Sequence, residues 1–285
     1  MKTVERTLVQ TVLVILLGMG LVASVAAQDK PLMVGVDGTF APHAMPKMGG
    51  GVEGFNVDLA YEIGKRLGRK VEIVAQEFSG LIPGLNAGKF DFLAAPTTVL
   101  KDRAENLLFS EGYLETDYQF VIPAGKPEIK VLEDLKGKVL AVNKGSNYDQ
   151  WARENEAKYG FKMESYGTNT DAVQAVLAGR ADANLVGHTV AAYAVKRNPQ
   201  QLKLSYKIKS GTVWAIPLRK DDVKGRQAVD EAIECIKQDG TMAKLAEKWF
   251  GVKPDPGSPA VTVFAGYGVP GMPGFDPTEH KAVCK

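Results

Sequence analysis

The chain has 285 residues, of which 45% are hydrophobic, and its 35 lysines and arginines nearly balance its 33 aspartates and glutamates. This balance creates no strong field that would favour nucleic acid or an acidic membrane surface as a partner. With two cysteines and three histidines, a structural zinc site has little support, and we expect neither a metal nor a cofactor. The length suits one large domain or two smaller ones.

The N-terminus has the three parts of a cleavable secretory signal. Lys2 and Arg6 give a basic start, an apolar run covers about residues 12–25, and small residues occupy 23–27. An uncleaved membrane anchor is the alternative, but the run is short for a spanning helix and no basic stop-transfer cluster follows it. We therefore expect residues 1–27 to be removed. Because no cysteine stands at the cut, a lipid anchor is not expected and the mature protein should be soluble.

Strand and helix patterns alternate after this segment. In order they are a strand at 32–36, a helix at 57–67 ending before Gly68, a strand at 71–74, a helix at 80–86 and a strand at 90–95. The same order then repeats at 139–142, 148–159, 162–166, 171–178 and 183–186. Alternation of this kind predicts mainly parallel sheets with both faces covered by helices.

A local repeat supports two similar lobes rather than one continuous sheet. Residues 85–91 (LNAGKFD) resemble residues 177–182 (LAGRAD): in each, a helix ends on glycine, and a basic residue and an aspartate lead into a strand. Such a short match also arises by chance, because Ala-Gly-Lys and Ala-Gly-Arg turns are common. Together with the repeated order of elements, it predicts an α/β fold with two lobes.

The C-terminal part consists of helices followed by a tail of different composition. Residues 221–250 predict helices interrupted by a turn at Gly240, whereas residues 252–285 are rich in proline and glycine and show little periodicity. We expect this tail to be irregular, and either ordered or disordered. Because an exported protein meets oxidising conditions, Cys235 and Cys284 are expected to form a disulfide that ties the tail to the body. Two unrelated thiols are the alternative.

Short segments spread along the chain resemble motifs of a known family. They are VDGTFAP at 36–42, GFNVDLA at 54–60, FSGLIPGL at 78–85, Arg103 with FS at 109–110, DLKGKV at 134–139, and DGT at 239–241 with KWFG at 248–251. In these motifs the chain resembles the extracellular solute-binding proteins of family 3, which serve polar-amino-acid ABC transporters. The resemblance covers about residues 31–251.

The resemblance implies the two-lobed type II periplasmic binding-protein fold. Each lobe is a mainly parallel sheet flanked by helices, and two strand-like crossovers, expected at 115–120 and 211–216, form a hinge that closes the lobes on a ligand. The expected division is lobe 1 at 28–117 and 214–251, lobe 2 at 118–213 and the tail at 252–285. The family function implied is that of a monomeric periplasmic carrier. It binds a small carboxylate-bearing polar solute, an amino acid or related compound, and delivers it to the membrane permease of an ABC transporter.

Arg103 is the first candidate for binding the ligand. At this position the family uses a guanidinium to clamp the ligand's carboxylate, since a planar fork of donors binds a carboxylate with two hydrogen bonds. The alternative is a surface arginine paired with Glu105. Thr98, after Thr97, matches a family hydroxyl that completes the carboxylate site. Pro96 stands where the family often has glycine, and it removes one backbone N–H from this half of the site.

Three further candidates lie in the first lobe. Phe40 and Phe55 match family positions that sandwich the carbon skeleton of the ligand, and ordinary core packing is the alternative for both. Asp37 aligns with a carboxylate that meets a distal cation or amide of the ligand in some members. A role in capping its own turn is the alternative for Asp37.

The second lobe combines a candidate turn with a departure from the family. Asn143, Gly145 and Ser146 form a turn after a strand, where the N–H groups of Gly145 and Ser146 are placed to complete an anion site. Gly187 stands where amino-acid binders place an aspartate that pairs with the ligand's α-ammonium, and His188 follows it. Without that carboxylate a desolvated ammonium loses its charge partner. Either another acid takes over, or the ligand is not an ordinary α-amino acid and His188 donates to a second acidic group.

Two other functions stay open from the sequence. Periplasmic dehydratases of the cyclohexadienyl dehydratase type share the scaffold, but they need a well-placed acid in the cleft. The chain has no glutamate near Gly187 and no Ser-His-Asp or metal constellation, so we predict that it is not an enzyme. A ligand-sensing or accessory periplasmic subunit is the other alternative, because a simple carrier does not need the tail after Val252.

Overall fold

The computed structural model describes residues 30–284. The expected secretory segment, residues 1–27, lies outside this range. Among the described residues, no helix is long and apolar enough to cross a membrane.

The first lobe contains seven elements in chain order. They are β1 (Leu32–Val36), β2 (Met45–Pro46), β3 (Val52–Glu53), α1 (Phe55–Arg66), β4 (Val71–Ala75), α2 (Phe78–Asn86) and β5 (Phe92–Leu93). The strands β4, β1 and β5 form a parallel sheet in that order. Helix α1 turns the apolar side chains of Leu59 and Ile63 into the core, both fully buried, and Gly68 takes a left-handed backbone (φ 63°) after its end.

The second lobe follows a connecting region and repeats this plan. The connecting elements are β6 (Thr97–Thr98), α3 (Lys101–Asn106), β7 (Leu107–Phe109) and β8 (Leu114–Pro123). The second-lobe elements are β9 (Val139–Asn143), α4 (Asn147–Tyr159), β10 (Lys162–Tyr166), α5 (Asn169–Leu177), β11 (Ala183–Gly187) and α6 (His188–Arg197). Strands β10, β9 and β11 are parallel and stand in the same relative order as β4, β1 and β5. The prediction of two similar α/β lobes is confirmed.

The short sequence repeat has the same structural role in both lobes. The Asp91 carboxylate accepts a hydrogen bond from the backbone N–H of Met33 at 2.8 Å, and the Asp182 carboxylate accepts one from Val139, also at 2.8 Å. Met33 lies in β1, between β4 and β5, and Val139 lies in β9, between β10 and β11. The two aspartates therefore fix corresponding strand starts, which chance similarity of a turn would not produce.

Two long strands carry the chain between the lobes. After β12 (Leu202–Ala215) come β13 (Pro217–Arg219), α7 (Val223–Gln238) and α8 (Thr241–Phe250), which return to the first lobe. Strands β8 and β12 pair antiparallel, with Thr116 opposite Thr212 and Leu114 opposite Trp214. The segments 115–120 and 211–216, expected as crossovers, lie on this pair of strands.

The elements that sequence patterns do not predict are short or unusually placed. They are the β2–β3 hairpin, the strands β6, β7 and β13, and helix α6. Strands of two or three residues are too short to show a period, so their pairing is decided by tertiary contacts.

The tail is irregular but packed. Residues 252–284 contain a single isolated bridge, between Tyr267 and Asp276. A disulfide joins Cys235 in helix α7 to Cys284, with Cα atoms 5.4 Å apart, so the predicted bridge is confirmed.

The tail covers a buried ion pair. Lys237 Nζ lies 2.8 Å from Glu111 Oε1, and neither side chain has any exposed surface. The same ammonium donates to the backbone carbonyls of Gly112 (2.7 Å) and of Thr262 in the tail (2.9 Å). The N–H of Phe264, also in the tail, donates to Glu111 Oε2 at 2.9 Å. The tail backbone therefore forms a hydrogen bond with each partner of the pair.

Further contacts hold the tail along helix α7. They are the N–H of Gly268 donating to Asp230 (2.6 Å), the Tyr267 hydroxyl donating to Glu231 (3.1 Å), His280 with Glu234 (2.8 Å) and Arg226 with Asp276 (3.8 Å). Burial and the nearby Glu111 raise the pKa of Asp230 to about 7. A polar stripe of the helix is thus enclosed by the tail rather than by solvent.

Removing the disulfide should lower stability without preventing folding. The bridge closes a loop across a sequence separation of 49 residues. A loop of this length corresponds to about 4 kcal/mol of denatured-state entropy, although measured values are typically about 2–4 kcal/mol. We expect the Cys235→Ser/Cys284→Ser variant to lose stability in that range in urea unfolding. Wild-type protein after reduction is the matched control, and a non-reduced peptide map without a Cys235–Cys284 peptide would contradict the bridge.

Candidate functional site

The two lobes contact each other directly across a cleft. Asn143 Nδ2 in the second lobe donates to Asp37 Oδ2 in the first at 3.1 Å. Arg103 Nη2 donates to the carbonyl of Gly145 in the second lobe at 3.4 Å. Because both contacts join residues on opposite sides of the cleft, the structure has the closed arrangement of the lobes.

A small cavity lies between the lobes, and we call it the cleft cavity. Its lining residues come from both sides: Asp37, Phe40, Phe78, Pro96, Asn143, Ser146, Asn147 and Tyr148. The rings of Phe40, Phe78 and Tyr148 give it apolar walls. Asn143 is 1% exposed, and its Oδ1 has no hydrogen-bond partner among residues 30–284. A buried acceptor without a partner is unfavourable, so the cavity favours a molecule that donates a hydrogen bond there.

Asp37 is the acidic group of the cleft cavity. It is 2% exposed, and its Oδ1 accepts from the N–H (3.0 Å) and the hydroxyl (2.7 Å) of Thr39. These bonds match the expected turn-capping alternative, while Oδ2 faces Asn143. Burial raises the pKa of Asp37 above its ordinary value of 3.8, and Asp37 forms no ion pair within residues 30–284. A cation brought beside this carboxylate would be stabilised.

Arg103 lies in helix α3 and lines a separate pocket with Gly145 and Ser146, and Ser146 also lines the cleft cavity. Its Nη1 donates to the Thr98 carbonyl at 3.3 Å, and its guanidinium carbon lies 5.8 Å from the centre of the Phe78 ring. No ion pair with Glu105 or another acid is formed within residues 30–284. Burial lowers the pKa of Arg103, and a guanidinium remains cationic at physiological pH. The arginine is therefore held in place by neutral groups, without an ion pair within residues 30–284.

The two threonines support the site rather than line it. Both are buried in strand β6, which pairs with β12. Thr97 Oγ1 donates to the Ala95 carbonyl at 2.8 Å, and Thr98 Oγ1 accepts from Trp214 Nε1 at 3.2 Å. Their hydroxyls are thus engaged inside the protein, and Thr98 contributes its carbonyl to the positioning of Arg103.

The two predicted phenylalanines have different positions. Phe40 lines the cleft cavity, as expected. Phe55 is fully buried, with its ring centre 4.9 Å from that of Phe250 and 6.2 Å from that of Tyr113. It is absent from the cavity lining and packs in the core, which is the alternative given for it. Tyr148, at the start of helix α4, is an aromatic wall residue that no motif indicated.

The turn in the second lobe uses its own N–H groups. The N–H of Gly145 donates to Asp149 Oδ2 at 3.1 Å, and that of Ser146 donates to the Asn143 carbonyl at 3.2 Å. Ser146 Oγ accepts from the N–H of Asp149 at 3.2 Å as the N-cap of helix α4. Both N–H groups therefore have partners within the turn, and the anion site at this turn stays a prediction.

The space beside Gly187 is filled by two large side chains. A Cβ atom at this position would lie 2.7 Å from Tyr148 Oη and 2.8 Å from Trp214 Cζ2. Both side chains are 1% exposed, so neither has room to withdraw into solvent. The glycine is thus required by packing, and the carboxylate expected from the family has no room in this chain.

His188 does not line the cleft cavity. Its Nδ1 accepts from the N–H of Asp117 at 3.3 Å, and its ring borders a separate cavity beside the hinge. His188 is absent from the lining of the cleft cavity, and its donation to the cleft ligand stays a prediction.

Replacing Gly187 by aspartate should lower both the stability of the protein and its affinity for the solute. In Gly187→Asp, Tyr148 and Trp214 must move, and overpacking of this kind costs about 1–3 kcal/mol. We expect a lower melting temperature and weaker solute binding, measured by calorimetry. Gly179→Asp is a control for the substitution itself, since a Cβ atom there would meet nothing within 4 Å, although its positive φ adds local strain. Unchanged stability and binding in Gly187→Asp would contradict the packing argument.

A histidine that sequence reasoning missed joins the lobes. His43 is fully buried, with Nδ1 2.8 Å from Asn56 Oδ1 and Nε2 2.7 Å from Thr189 Oγ1 in the second lobe. Burial lowers the pKa of His43 to about 3, so the ring is neutral at physiological pH. Asn56 Nδ2 in turn donates to the Tyr113 hydroxyl at 2.7 Å. A single histidine in a loop gives no periodic or spacing signal, so only the tertiary structure reveals this contact.

The fold and the cleft define a class of protein. Two similar α/β lobes, joined by paired strands and closed over a polar cavity with aromatic walls, are the architecture of a solute-binding protein. The model of the bacterial extracellular solute-binding proteins, family 3, matches residues 32–252, and the chain belongs to this family.

Named relatives agree with this assignment. The chain is 31% identical over 221 residues to the L-cystine-binding protein TcyJ of Escherichia coli (strain K12), with 77% of this chain and 82% of that protein covered. It is 31% identical to the lysine/arginine/ornithine-binding periplasmic protein of the same strain, with 80% and 90% covered. Among solved structures, an ancestral arginine-binding protein bound to arginine is 36% identical with a TM-score of 0.75, covering 79% of this chain and all of that one. These relatives are binding proteins, and the chain is a binding protein rather than an enzyme.

Proposed function

We propose that this protein is the periplasmic component of an ABC uptake system, which binds a small polar solute in the cleft cavity and passes it to a membrane permease. Membership of the family supports the transport role. The observation that carries the ligand class is Arg103, a partly buried cation in the pocket that shares Ser146 with the cleft cavity. It forms no ion pair within residues 30–284 and is held by the carbonyls of Thr98 and Gly145. A carboxylate of the solute would supply the missing charge and two acceptors.

A second polar group of the solute is proposed to face Asp37. This carboxylate is buried in the cavity beside the unpartnered Asn143 Oδ1. Together they favour an amine or another N–H group. The proposed solute is therefore an amino acid or related compound whose carboxylate meets Arg103 and whose amine meets Asp37, since position 187 offers no carboxylate.

The lobe boundaries are part of this proposal. We propose that residues 28–117 with 214–251 move as one lobe and residues 118–213 as the other, and that the protein acts as a monomer. The paired strands β8 and β12 supply the hinge. Closure around the solute would give the permease a surface that differs from that of the open form.

The first test of this proposal is to identify the small molecule that stays bound to the protein during purification. Native mass spectrometry of freshly purified protein should detect a bound small molecule, and a thermal-shift screen should rank candidates, because a ligand of the folded form raises apparent stability. We expect amino acids to raise the melting temperature. Analogues that lack either the carboxylate or the amine should have smaller effects. Stabilisation by neutral sugars but not by amino acids would overturn the ligand class.

Solute binding should weaken at acidic pH through Asp37. Burial raises the pKa of this carboxyl, so it takes up a proton at a higher pH than an ordinary aspartate does. The attraction for a cationic amine is complete above this raised pKa and is lost as the pH falls through it. Calorimetric affinities from pH 7 downwards should show the decline. In Asp37→Asn the affinity should be lower at neutral pH and lack this dependence, and an identical profile in both proteins would contradict the role.

A further inference from the structure

A second cavity, larger than the cleft cavity, lies beside the hinge. Its volume is about 390 Å³, and we call it the hinge cavity. Helix α6 of the second lobe forms one side, helix α8 of the first lobe forms another, and Leu114 and Glu115 at the start of hinge strand β8 lie between them. The cavity thus touches both lobes and one of the strands that joins them.

The tail forms one wall of the hinge cavity. Val252, Pro254, Ser258 and Ala260 all line it, and Ala260 is 1% exposed. The family match ends at residue 252, so every residue of this wall except Val252 lies beyond the part of the chain shared with the family. The disulfide and the buried contacts of the tail hold the wall in place. The hinge cavity is therefore a feature that this chain builds with its additional segment.

The lining of the hinge cavity is mainly aromatic and aliphatic. Tyr193 contributes a ring from the second lobe, and Trp249 and Phe250 contribute rings from the first. Two lysines, Lys196 and Lys253, are balanced by two acids, Glu115 and Asp255, and none of these four side chains forms an ion pair within residues 30–284. With balanced charges and apolar walls, the cavity favours an uncharged molecule.

Two neutral polar residues, Ser258 and His188, line this apolar space. Ser258 Oγ has no hydrogen-bond partner among residues 30–284 and is closed to solvent, so a ligand reaches it once the side chain turns towards the cavity. Burial lowers the pKa of His188, so its ring is neutral at physiological pH. Because Nδ1 of this ring accepts from the N–H of Asp117, the proton lies on Nε2, which is then a donor. One hydroxyl and one ring N–H suit a ligand that carries a hydroxyl or a carbonyl.

We propose that the hinge cavity binds a small uncharged aromatic molecule with a hydroxyl or carbonyl group, and that this binding strengthens solute binding in the cleft. The second part rests on the proposed function. A molecule that contacts α6 and α8 together stabilises the arrangement in which the lobes are closed. A ligand that prefers the closed state shifts the population towards it, and by linkage the two ligands then raise each other's affinity.

The binding step is tested with 4-methylphenol as the probe. Wild-type protein should bind it saturably by calorimetry, with a Kd below about 1 mM, and the fluorescence of Trp249 should change. Ala192 lines the cavity on an exposed face of α6, so Ala192→Trp should fill the space and weaken binding at least about ten-fold. Ala192→Ser is the matched control and should bind as the wild type does. Absence of saturable binding, or equal binding in Ala192→Trp, would overturn the site.

Charged analogues test the ligand class. Both 4-methylbenzoate and 4-methylbenzylammonium should bind at least about ten-fold more weakly than 4-methylphenol, because each leaves one unbalanced charge in an apolar space. Equal affinity of either analogue would overturn the assignment to an uncharged molecule.

The coupling is measured separately. Saturating 4-methylphenol should lower the Kd of the cleft solute by about five-fold or more, and an unchanged Kd would overturn the coupling. Arg103→Ala protein should still bind 4-methylphenol, so a failure of the proposed cleft function remains distinguishable from a failure of the hinge cavity. Loss of 4-methylphenol binding in Arg103→Ala would place the probe in the cleft and overturn the second site.

Discussion

Replacing Arg103 by alanine should reduce the affinity for the natural solute by at least about a hundred-fold. Removing one partner of a desolvated charge pair costs about 2–5 kcal/mol, because the other charge is left buried and unpaired. The guanidinium sits between the Thr98 and Gly145 carbonyls and over the Phe78 ring, so its position does not depend on an ion pair within residues 30–284. Calorimetry with the solute found by mass spectrometry measures the loss.

Two matched variants distinguish the two-hydrogen-bond contact of Arg103 with the carboxylate from the effect of positive charge alone. Arg103→Lys keeps the charge but loses the planar fork, so we expect an intermediate affinity. Arg153→Ala removes a nearby arginine that is 58% exposed and paired with Asp149, and it should bind almost as the wild type does. Near-normal affinity in Arg103→Ala would refute the clamp.

Replacing Lys237 by methionine should destabilise the protein by about 3–5 kcal/mol. The change leaves the Glu111 carboxylate buried without its cation, and breaking a buried pair from one side has a cost of this size. It also removes the ammonium that joins Gly112 to the tail carbonyl of Thr262. Urea unfolding measures the free energy.

The paired variant tests whether the unpaired charge is the cause. Glu111→Leu/Lys237→Met replaces both ions with apolar groups and should recover much of the loss. In the single variant, burial without the lysine keeps the pKa of Glu111 raised, and the cost of its charge disappears once it is protonated. The destabilisation should therefore shrink as the pH falls below that pKa. Equal losses in the single and paired variants, with no dependence on pH, would contradict this account.

Much of the fold is predictable because it depends on local patterns. The period of apolar residues locates β1, α1, β9 and α4, and the shared Gly-basic-Asp order marks corresponding places in the two lobes. The short strands and the hairpin cannot be predicted in this way, because their formation depends on partners that are distant in sequence. Cysteine count and compartment are enough to predict the Cys235–Cys284 bridge.

The cleft is harder to predict because position in a motif does not determine which way a side chain points. Arg103, Asp37, Phe40 and Asn143 lie around the cleft, whereas Phe55 is rotated into the core. The sequence of the turn at Gly145 indicates free N–H groups, but in the structure Asp149 of the same turn accepts a hydrogen bond from one of them. Such competition between an internal partner and a ligand depends on distances that the sequence does not contain.

The departure at Gly187 shows what a single glycine can and cannot indicate. In the sequence, Gly187 replaces the aspartate of the family, so one carboxylate that would pair with the ligand's amine is missing. The structure adds that Tyr148 and Trp214 occupy the space. Two aromatic side chains therefore fill the space in which the family carboxylate would lie, and an acid introduced at position 187 alone would not bind an amine there.

The disulfide at Cys284 also provides a fixed position for attaching a label near the C-terminal end of the tail. Because Cys284 is fixed to helix α7, a fluorophore or a surface tether attached at the chain end would report the position of the first lobe alone. A second fluorophore on an exposed residue of the other lobe, such as Lys162, would then turn lobe closure into a change in energy transfer. The additional segment thus provides a fixed reference point for a sensor of the solute.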